Sequence, residues 1–215
     1  MIKRPGKMHL FKSREPNLVH YATTVTFNRL PIFSNKHACS LLIQALALTR
    51  EKEPFKLIGY VVMPDHFHFL ANPLNLDISA VVGRLKGRAA NAILSWLRAD
   101  GHSSSLTKLA LHAARRSGQT HAVWLKEFSA VDIWSHRFIR QKLDYIHLNP
   151  VRAALCDHPA KWRWSSYAAY LPHEPGSVPI EVDKRWLWTE EELSLAPGGR
   201  TSALSKRDKG NIELK

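Results

Sequence analysis

The hydrophobic period of this chain changes several times, and each change marks an element. HYATTVTF, from His20, alternates with β-branched residues and predicts a strand over about 21–27. Ser34 and Asn35 then stand where a helix cap is wanted. HACSLLIQALALTREKE follows, with Leu41, Leu42, Ala45, Leu46 and Leu48 on its apolar face and Pro54 to end it. FKLIGYVVM (55–63) and HFHFLANP (66–73) read as two strands, and the Pro64-Asp65 break between them is short enough for a hairpin. From Asp77 or Ile78 to about Arg98, a helical period links Ile78, Val81, Val82, Leu85, Ala89, Ile93, Trp96 and Leu97. ADGHSSS (99–105) reads as a loop and LTKLALHAARR as a short extra helix.

VWLKEFSAVDIW (123–134) alternates as a fourth strand. Residues 136–148 return to the helical period, with Phe138, Ile139, Leu143 and Ile146 on one side, and Pro150 predicts an end or kink. RWSSYAAY (163–170) reads as a short helix with a serine cap, and RWLWTEEEL as a helical piece. From Pro197 onward a disordered tail is expected. No internal repeat stands out. The order strand, helix, strand, strand, helix, strand, helix predicts an α+β, ferredoxin-like sandwich. One antiparallel sheet would carry helices on one face and leave the other for ligands. The implied organisation is a basic arm over 1–17, a domain over 18–172 and a partly disordered extension over 173–215.

Composition narrows the class. An apolar share of 45% fits a globular chain. Lys and Arg total 31 against 18 Asp and Glu, a net charge of +13, so a polyanion is the expected partner. The two cysteines, Cys39 and Cys156, lack metal-type spacing and suggest small thiols in a reducing compartment. The N-terminus is basic without an apolar h-region, and no apolar run is long enough to span a bilayer. These features predict a soluble cytoplasmic protein.

Two short stretches carry candidate chemistry. In VVMPDHFHFLANP, strand alternation places His66 and His68 on one face, with Cα atoms roughly 6.5–7 Å apart. Phe67 and Phe69 then face the core. Two imidazoles so placed can converge on a metal ion, although polar positions on a half-buried strand would look the same. In QKLDYIHLNPVRAALC, Tyr145 and Asn149 are four apart and share a helix face. A phenol is a possible nucleophile and a carboxamide oxygen a hard ligand, while a core tyrosine with its hydroxyl at the rim is the common alternative. His147 falls about 200° round the helix from Tyr145 and is a poorer candidate for the same site.

PDHFHFL, then YIHLNPVRA, then WRWSSY, in that order, resemble the single-tyrosine HUH transposases, in particular the REP-associated tyrosine transposases. The resemblance covers roughly residues 9–172. It implies the ferredoxin-like fold independently of the strand order. It also implies His66, His68 and Asn149 as ligands of Mg²⁺ or Mn²⁺, and Tyr145 as the nucleophile. The segment between the second helix and Trp124 is longer than the family pattern. Nothing beyond Pro172 transfers, which leaves the DNA sequence preference open. Trp162, Trp164 and Tyr167 match the family and read as packing residues.

The reaction so implied is cleavage and rejoining of single-stranded or hairpin DNA through a 5′-phosphotyrosine bond, with no nucleotide cofactor and no membrane partner. The chain would act as a monomer or a homodimer. Arg84, Lys86 and Arg88 on the second helix, Arg137, Arg140 and Lys142 beside the tyrosine, and Arg29 after the first strand are candidate DNA contacts. Two other readings remain open on the sequence. One is a noncatalytic nucleic-acid-binding module. The other is a metal-dependent phosphodiester hydrolase using His66, His68 and either Asp65 or Asp132.

Overall fold

The structure is a computed structural model and describes residues 18–74, 77–111, 118–171 and 178–187. The arm over 1–17 and the tail from Pro197 lie outside the described residues. Strand β1 (Val19–Val25) leads through two single 3-10 turns into helix α1 (Lys36–Lys52). β2 (Lys56–Met63) and β3 (His66–Asn72) follow, then α2 (Ile78–Ala99), α3 (Ser103–Leu109), β4 (Ser129–Ile133) and α4 (His136–Arg152). The sheet order is β2-β3-β1-β4, and every neighbouring pair is antiparallel. This is the βαββαβ sandwich that the pattern predicts, followed by one more helix.

The helices begin where side chains can satisfy their first amides. Asn35 accepts from the amides of His37 and Ala38, Asp77 from Ser79, and Ser135 from Phe138. α1 and α2 cover one face of the sheet. Leu42, Leu46, Val81, Leu85 and Ile93 meet Phe67, Phe69, Tyr60 and Ala22 there. The other face is not left open along its whole length. α4 packs on it, setting Ile139, Leu143 and Ile146 against Tyr21, Ile58, Val61 and Leu70.

That contact requires a glycine. Between Leu57 and Gly59 the β2–β3 register slips by one residue, and a β-carbon on Gly59 would stand 2.3 Å from Leu143 Cδ1. The helix therefore lies closer to β2 than any side chain at 59 would allow.

Several boundaries differ from the sequence expectation. β1 starts two residues earlier, at Val19, and β4 is only Ser129–Ile133. Residues 123–128 alternate but do not continue the strand: Trp124 makes an isolated antiparallel bridge to Thr26, with Leu125 donating to the Val25 carbonyl at 2.9 Å, and the pairing breaks before Ser129. Val123 and Trp124 are buried in the α1/α2 core, and the Lys86 ammonium takes the carbonyls of Leu125, Lys126 and Glu127 at 2.8, 2.9 and 3.4 Å. Backbone acceptors so engaged are turned away from a strand partner. α4 runs through Pro150 to Arg152 rather than ending at 148. Proline removes one donor near the C-terminal end of the helix, the ring is itself buried, and Ala153 still donates to the Asn149 carbonyl. α3 begins at Ser103, inside the expected loop, and ends at Leu109, while 112–117 lie outside the described residues.

The segment read as a capped helix over 163–170 is helical only as a 3-10 turn, Tyr167–Tyr170. Its first part runs along the outer edge of β2. Val62 donates to the Trp164 carbonyl at 2.8 Å, Tyr60 to Ser166 Oγ at 2.9 Å, and Ser166 to the Tyr60 carbonyl at 3.0 Å. The Trp162 indole donates to the Val62 carbonyl at 2.9 Å, and the Tyr170 hydroxyl donates to that of Ile58. An open strand edge is thus covered, which limits pairing with other chains. His147 points into this layer and away from Tyr145, with Nε2 2.8 Å from Ser166 Oγ. Of the C-terminal extension, residues 178–187 are described: Asp183 bonds Arg50 at 2.7 Å and the Leu57 amide at 2.8 Å.

Replacing Gly59 with alanine forces Leu143 out of its place. The expected cost is about 1–3 kcal/mol, measurable by urea denaturation, and an unchanged midpoint would contradict the close packing of α4.

Candidate active site

His66 and His68 share a face of β3, and the register with β1 decides what surrounds them. His68 lies opposite Thr23, and Tyr21 is the next residue on the same face of β1. Thr23 Oγ1 is 2.7 Å and the Tyr21 hydroxyl 2.9 Å from His68 Nδ1. The Tyr21 and His68 rings stack at 5.4 Å between centroids, and the two histidine rings stand edge to face at 4.6 Å.

His66 is held from the hairpin turn. Its Nδ1 is 2.6 Å from Asp65 Oδ1, and the other carboxylate oxygen takes Arg29 at 2.9 Å. Asn28 and Arg29 both sit at φ 52°, a left-handed turn that folds the chain back after β1 toward the hairpin. Burial alone would raise the Asp65 carboxyl, but the hydrogen bonds and charges of His66 and Arg29 hold it below its ordinary range. An ionised Asp65 fixes the His66 proton on Nδ1. In both histidines Nδ1 is engaged, and neither Nε2 has a hydrogen-bond partner among the described residues.

Burial pushes the His68 imidazole down to about 3; His66 and Lys142 act in the same direction and Asp65 opposes them. His68 is therefore neutral, with a lone pair on Nε2 when Nδ1–H donates to Thr23 or Tyr21. Burial pushes the Tyr21 phenol up to about 12, eased by the Thr23 hydrogen bond and raised further by Tyr145. Tyr21 stays protonated.

α4 brings in the remaining groups. The Tyr145 ring lies edge-on to His68 at 5.9 Å and to Tyr21 at 6.2 Å. It is 40% exposed, so it is not the core tyrosine that the sequence also allowed. Two cations flank its ring: the Arg152 guanidinium at 5.2 Å and the Lys142 ammonium at 5.9 Å from the centroid. Lys142 also stands 5.0 Å from the centre of the Tyr21 ring. One helical turn beyond Tyr145, Asn149 Nδ2 is buried with no hydrogen-bond partner among the described residues. Buried amides rarely stay uncommitted unless something else uses them.

The other candidate cations are dispersed. Arg84, Lys86 and Arg88 are on α2, across the sheet from the histidines. Arg88 grips Glu53 with two bonds of 2.8 and 3.0 Å, and Arg84 approaches the same carboxylate at 3.6 Å. Arg137 and Arg140 are exposed on α4, with Arg140 roughly 140° round the helix from Tyr145 by helical geometry. Only Lys142 of the α4 cations named from sequence joins the tyrosine. Tyr21, Thr23 and Arg152 escaped that reading. Strand alternation would have flagged the first two only if the β1–β3 register were known, and Arg152 is seven residues from Tyr145 on the same helical stripe.

Residues 17–103 match the sequence profile of the family described as "Transposase IS200 like". The matched segment carries three of the four strands, both histidines and helices α1 and α2, and is similar to the IS200-like transposases there. A solved structure of a REP-associated tyrosine transposase bound to a REP hairpin has the same fold. It is similar at 18% identity with a TM-score of 0.59, over 82% of this chain and 93% of that one. A putative transposase from Deinococcus radiodurans R1 aligns at 20% identity over 68% of this chain and 98% of that one, with a TM-score of 0.39. No curated protein matches the chain. Among the described residues, no helix is long and apolar enough to cross a membrane.

A titration of the imidazole nitrogens by NMR checks the electrostatics of the site. His68 should remain neutral from pH 7 down to pH 4.5, because its folded value lies near 3. His66 should carry its proton on Nδ1, and Asp65→Ala should redistribute that proton toward Nε2. A His68 that protonates near pH 6.5, the ordinary histidine value, would contradict the buried, neutral imidazole.

Proposed function

We propose that the chain is a metal-dependent, single-tyrosine transposase of the REP-associated type. It would cleave and rejoin single-stranded or hairpin DNA, with Tyr145 as nucleophile. The observation that carries this reading is the position of an accessible tyrosine, flanked by two cations, against a pair of histidines whose Nε2 atoms are uncommitted.

The donor set suits a divalent ion. His66 and His68 offer Nε2, and Asn149 offers its amide oxygen. Among the described residues no three His, Cys, Asp or Glu side chains cluster as a metal site, and the Asn149 carboxamide, whose nitrogen is buried without a partner there, would add a donor of another type. Lys142 lies by Tyr21 and Tyr145 by His68, so α4 climbs along β3 toward His66, and Asn149 is the next residue on that stripe. Imidazole favours Mn²⁺ among the hard ions, while the amide and phosphate oxygens also suit Mg²⁺. When bound, such an ion supplies Lewis-acid polarisation of a phosphate oxygen.

The residues of the chain do the rest. Asp65 holds the His66 proton on Nδ1. Thr23 and Tyr21 do the same for His68, so both lone pairs face outward. Tyr145 Oη loses its proton and bonds to phosphorus. The bond from phosphorus to the 3′-oxygen breaks, and that oxygen takes a proton and leaves as a 3′-hydroxyl. A 5′-phosphotyrosine remains. A second 3′-hydroxyl reverses the step, joining strands and returning the phenol. Lys142 and Arg152 place positive charge beside a phenol that has to ionise and a phosphate that gains charge. Tyr145 and His68 meet within one chain, which supports use of the tyrosine in cis. DNA as substrate and two unpaired cysteines fit a reducing, cytoplasmic setting.

The hydrolase alternative loses its acids. Asp132 bonds His20 at 2.8 Å, and His20 alternates to the α1/α2 face of β1, across the sheet from His66. Asp65 is spent on His66 Nδ1 and Arg29.

A labelled single-stranded oligonucleotide should form a denaturant-resistant adduct with the wild-type chain in Mn²⁺ or Mg²⁺, and none with Tyr145→Phe or in EDTA. An adduct that survives Tyr145→Phe would overturn the assignment. Asp65→Ala should weaken the apparent Mn²⁺ affinity by ~10–100-fold, read from the metal dependence of adduct formation and from calorimetry without DNA.

A further inference from the structure

Beside the catalytic end of the sheet lies a groove of about 770 Å³ that the mechanism does not use. It runs between the start of α1 and the segment that follows α4. Lys36, His37, Lys161 and Arg163 line it, with Trp162 and Trp164 on its wall. No acidic residue is among its lining residues. We infer that this groove is the track for the unpaired DNA strand next to the cleavage site. The inference rests on the proposed reaction and adds where the substrate lies.

Three features carry it. The first is charge. Lys36 and Arg163 have no acidic partner among the described residues, unlike Arg84 and Arg88, which are engaged with Glu53, and Lys161, which pairs with Asp157 at 2.6 Å. The groove also begins at the N-terminal end of α1, the positive end of a 17-residue helix. The second is chemistry. Indole rings beside free cations are the combination that holds single strands, since bases stack on the rings and phosphates meet the charges. The Arg163 guanidinium already lies 5.6 Å from the Trp164 ring centre. The third is continuity. Pro64 lines the groove, and its carbonyl accepts from the Phe33 amide at 2.9 Å. Asp65 and His66 are the next two residues, so the groove borders the turn that presents the two histidines.

Rigid packing holds the groove in register with the nucleophile. α4 carries Tyr145 and ends at Arg152, and Ala154 turns the chain at φ 53°. Leu155 then donates to the Pro150 carbonyl at 2.9 Å and lines the groove. Trp162 and Trp164 are pinned to Val62 through their indole and backbone bonds. The groove wall is thus bonded to the strand that neighbours β3.

The test uses the full chain with Tyr145→Phe, so that no cutting occurs, and a fluorescent single-stranded oligonucleotide without self-complementarity. Adding Lys36→Ala and Arg163→Ala together should weaken binding about tenfold or more at low salt. It should also flatten the plot of log affinity against log salt by roughly 1.4, the release expected from two single-strand phosphate contacts. Lys36→Arg with Arg163→Lys should keep the affinity within about threefold, which separates lost charge from misfolding. Arg84→Ala, across the sheet, should leave it unchanged. Equal affinity and slope in the alanine pair overturn the groove, as does an equal loss in Arg84→Ala. If the alanine pair has no effect while the Tyr145 adduct forms normally, the groove falls and the transposase reading stands. If the parent binds through the groove but Tyr145 forms no adduct, the reading falls and the groove stands.

Discussion

Leu143 rests on Gly59 with no room for a side chain between them. From that contact follows the position of α4, and from α4 the position of Tyr145. The helix buries Ile139, Leu143 and Ile146 against the sheet face that bears the histidines. The stripe next to this apolar edge carries Lys142, Tyr145 and Asn149. Packing therefore fixes the chemistry: the residues that bury the helix and the residues that would act on DNA are neighbours on one surface, about a third of a turn apart.

The sheet makes the same division. In β3 the period of two sends Phe67 and Phe69 into the α1/α2 core and His66 and His68 to the α4 face. A shift of one residue would exchange the two sets. The β1 register adds the second constraint, since it sets Thr23 opposite His68 and leaves Tyr21 close enough to bond the same nitrogen. Both histidines are thus oriented through Nδ1, one by strand neighbours and one by the hairpin aspartate.

Much of this was legible in the sequence. The histidine pair, the hairpin turn and the cap at Asn35 depend on local spacing, which a sequence displays directly. The short reach of β4 was not legible, because Lys86 removes the carbonyls of 125–127 from strand pairing across a distance of about 40 residues in sequence. Pro150 misled for a similar reason, since its buried ring favours the continued helix that its missing amide disfavours. The basic residues were the least readable. Arg84 and Arg88 resemble Lys36 and Arg163 in composition, yet Glu53 engages the first two and nothing acidic faces the others among the described residues. Charge counts do not show pairing.

The proposed function stands on three donors to one divalent ion, His66, His68 and Asn149, with Tyr145 beside them. Paramagnetic broadening of NMR signals as Mn²⁺ is added to the full chain tests that arrangement most directly. The side-chain and amide signals of His66, His68, Tyr145 and Asn149 should broaden together at the lowest metal additions, while those of Arg84 and Arg88 on the opposite layer stay sharp. Broadening that reaches the histidines but spares Tyr145 and Asn149, or that centres elsewhere, would contradict it.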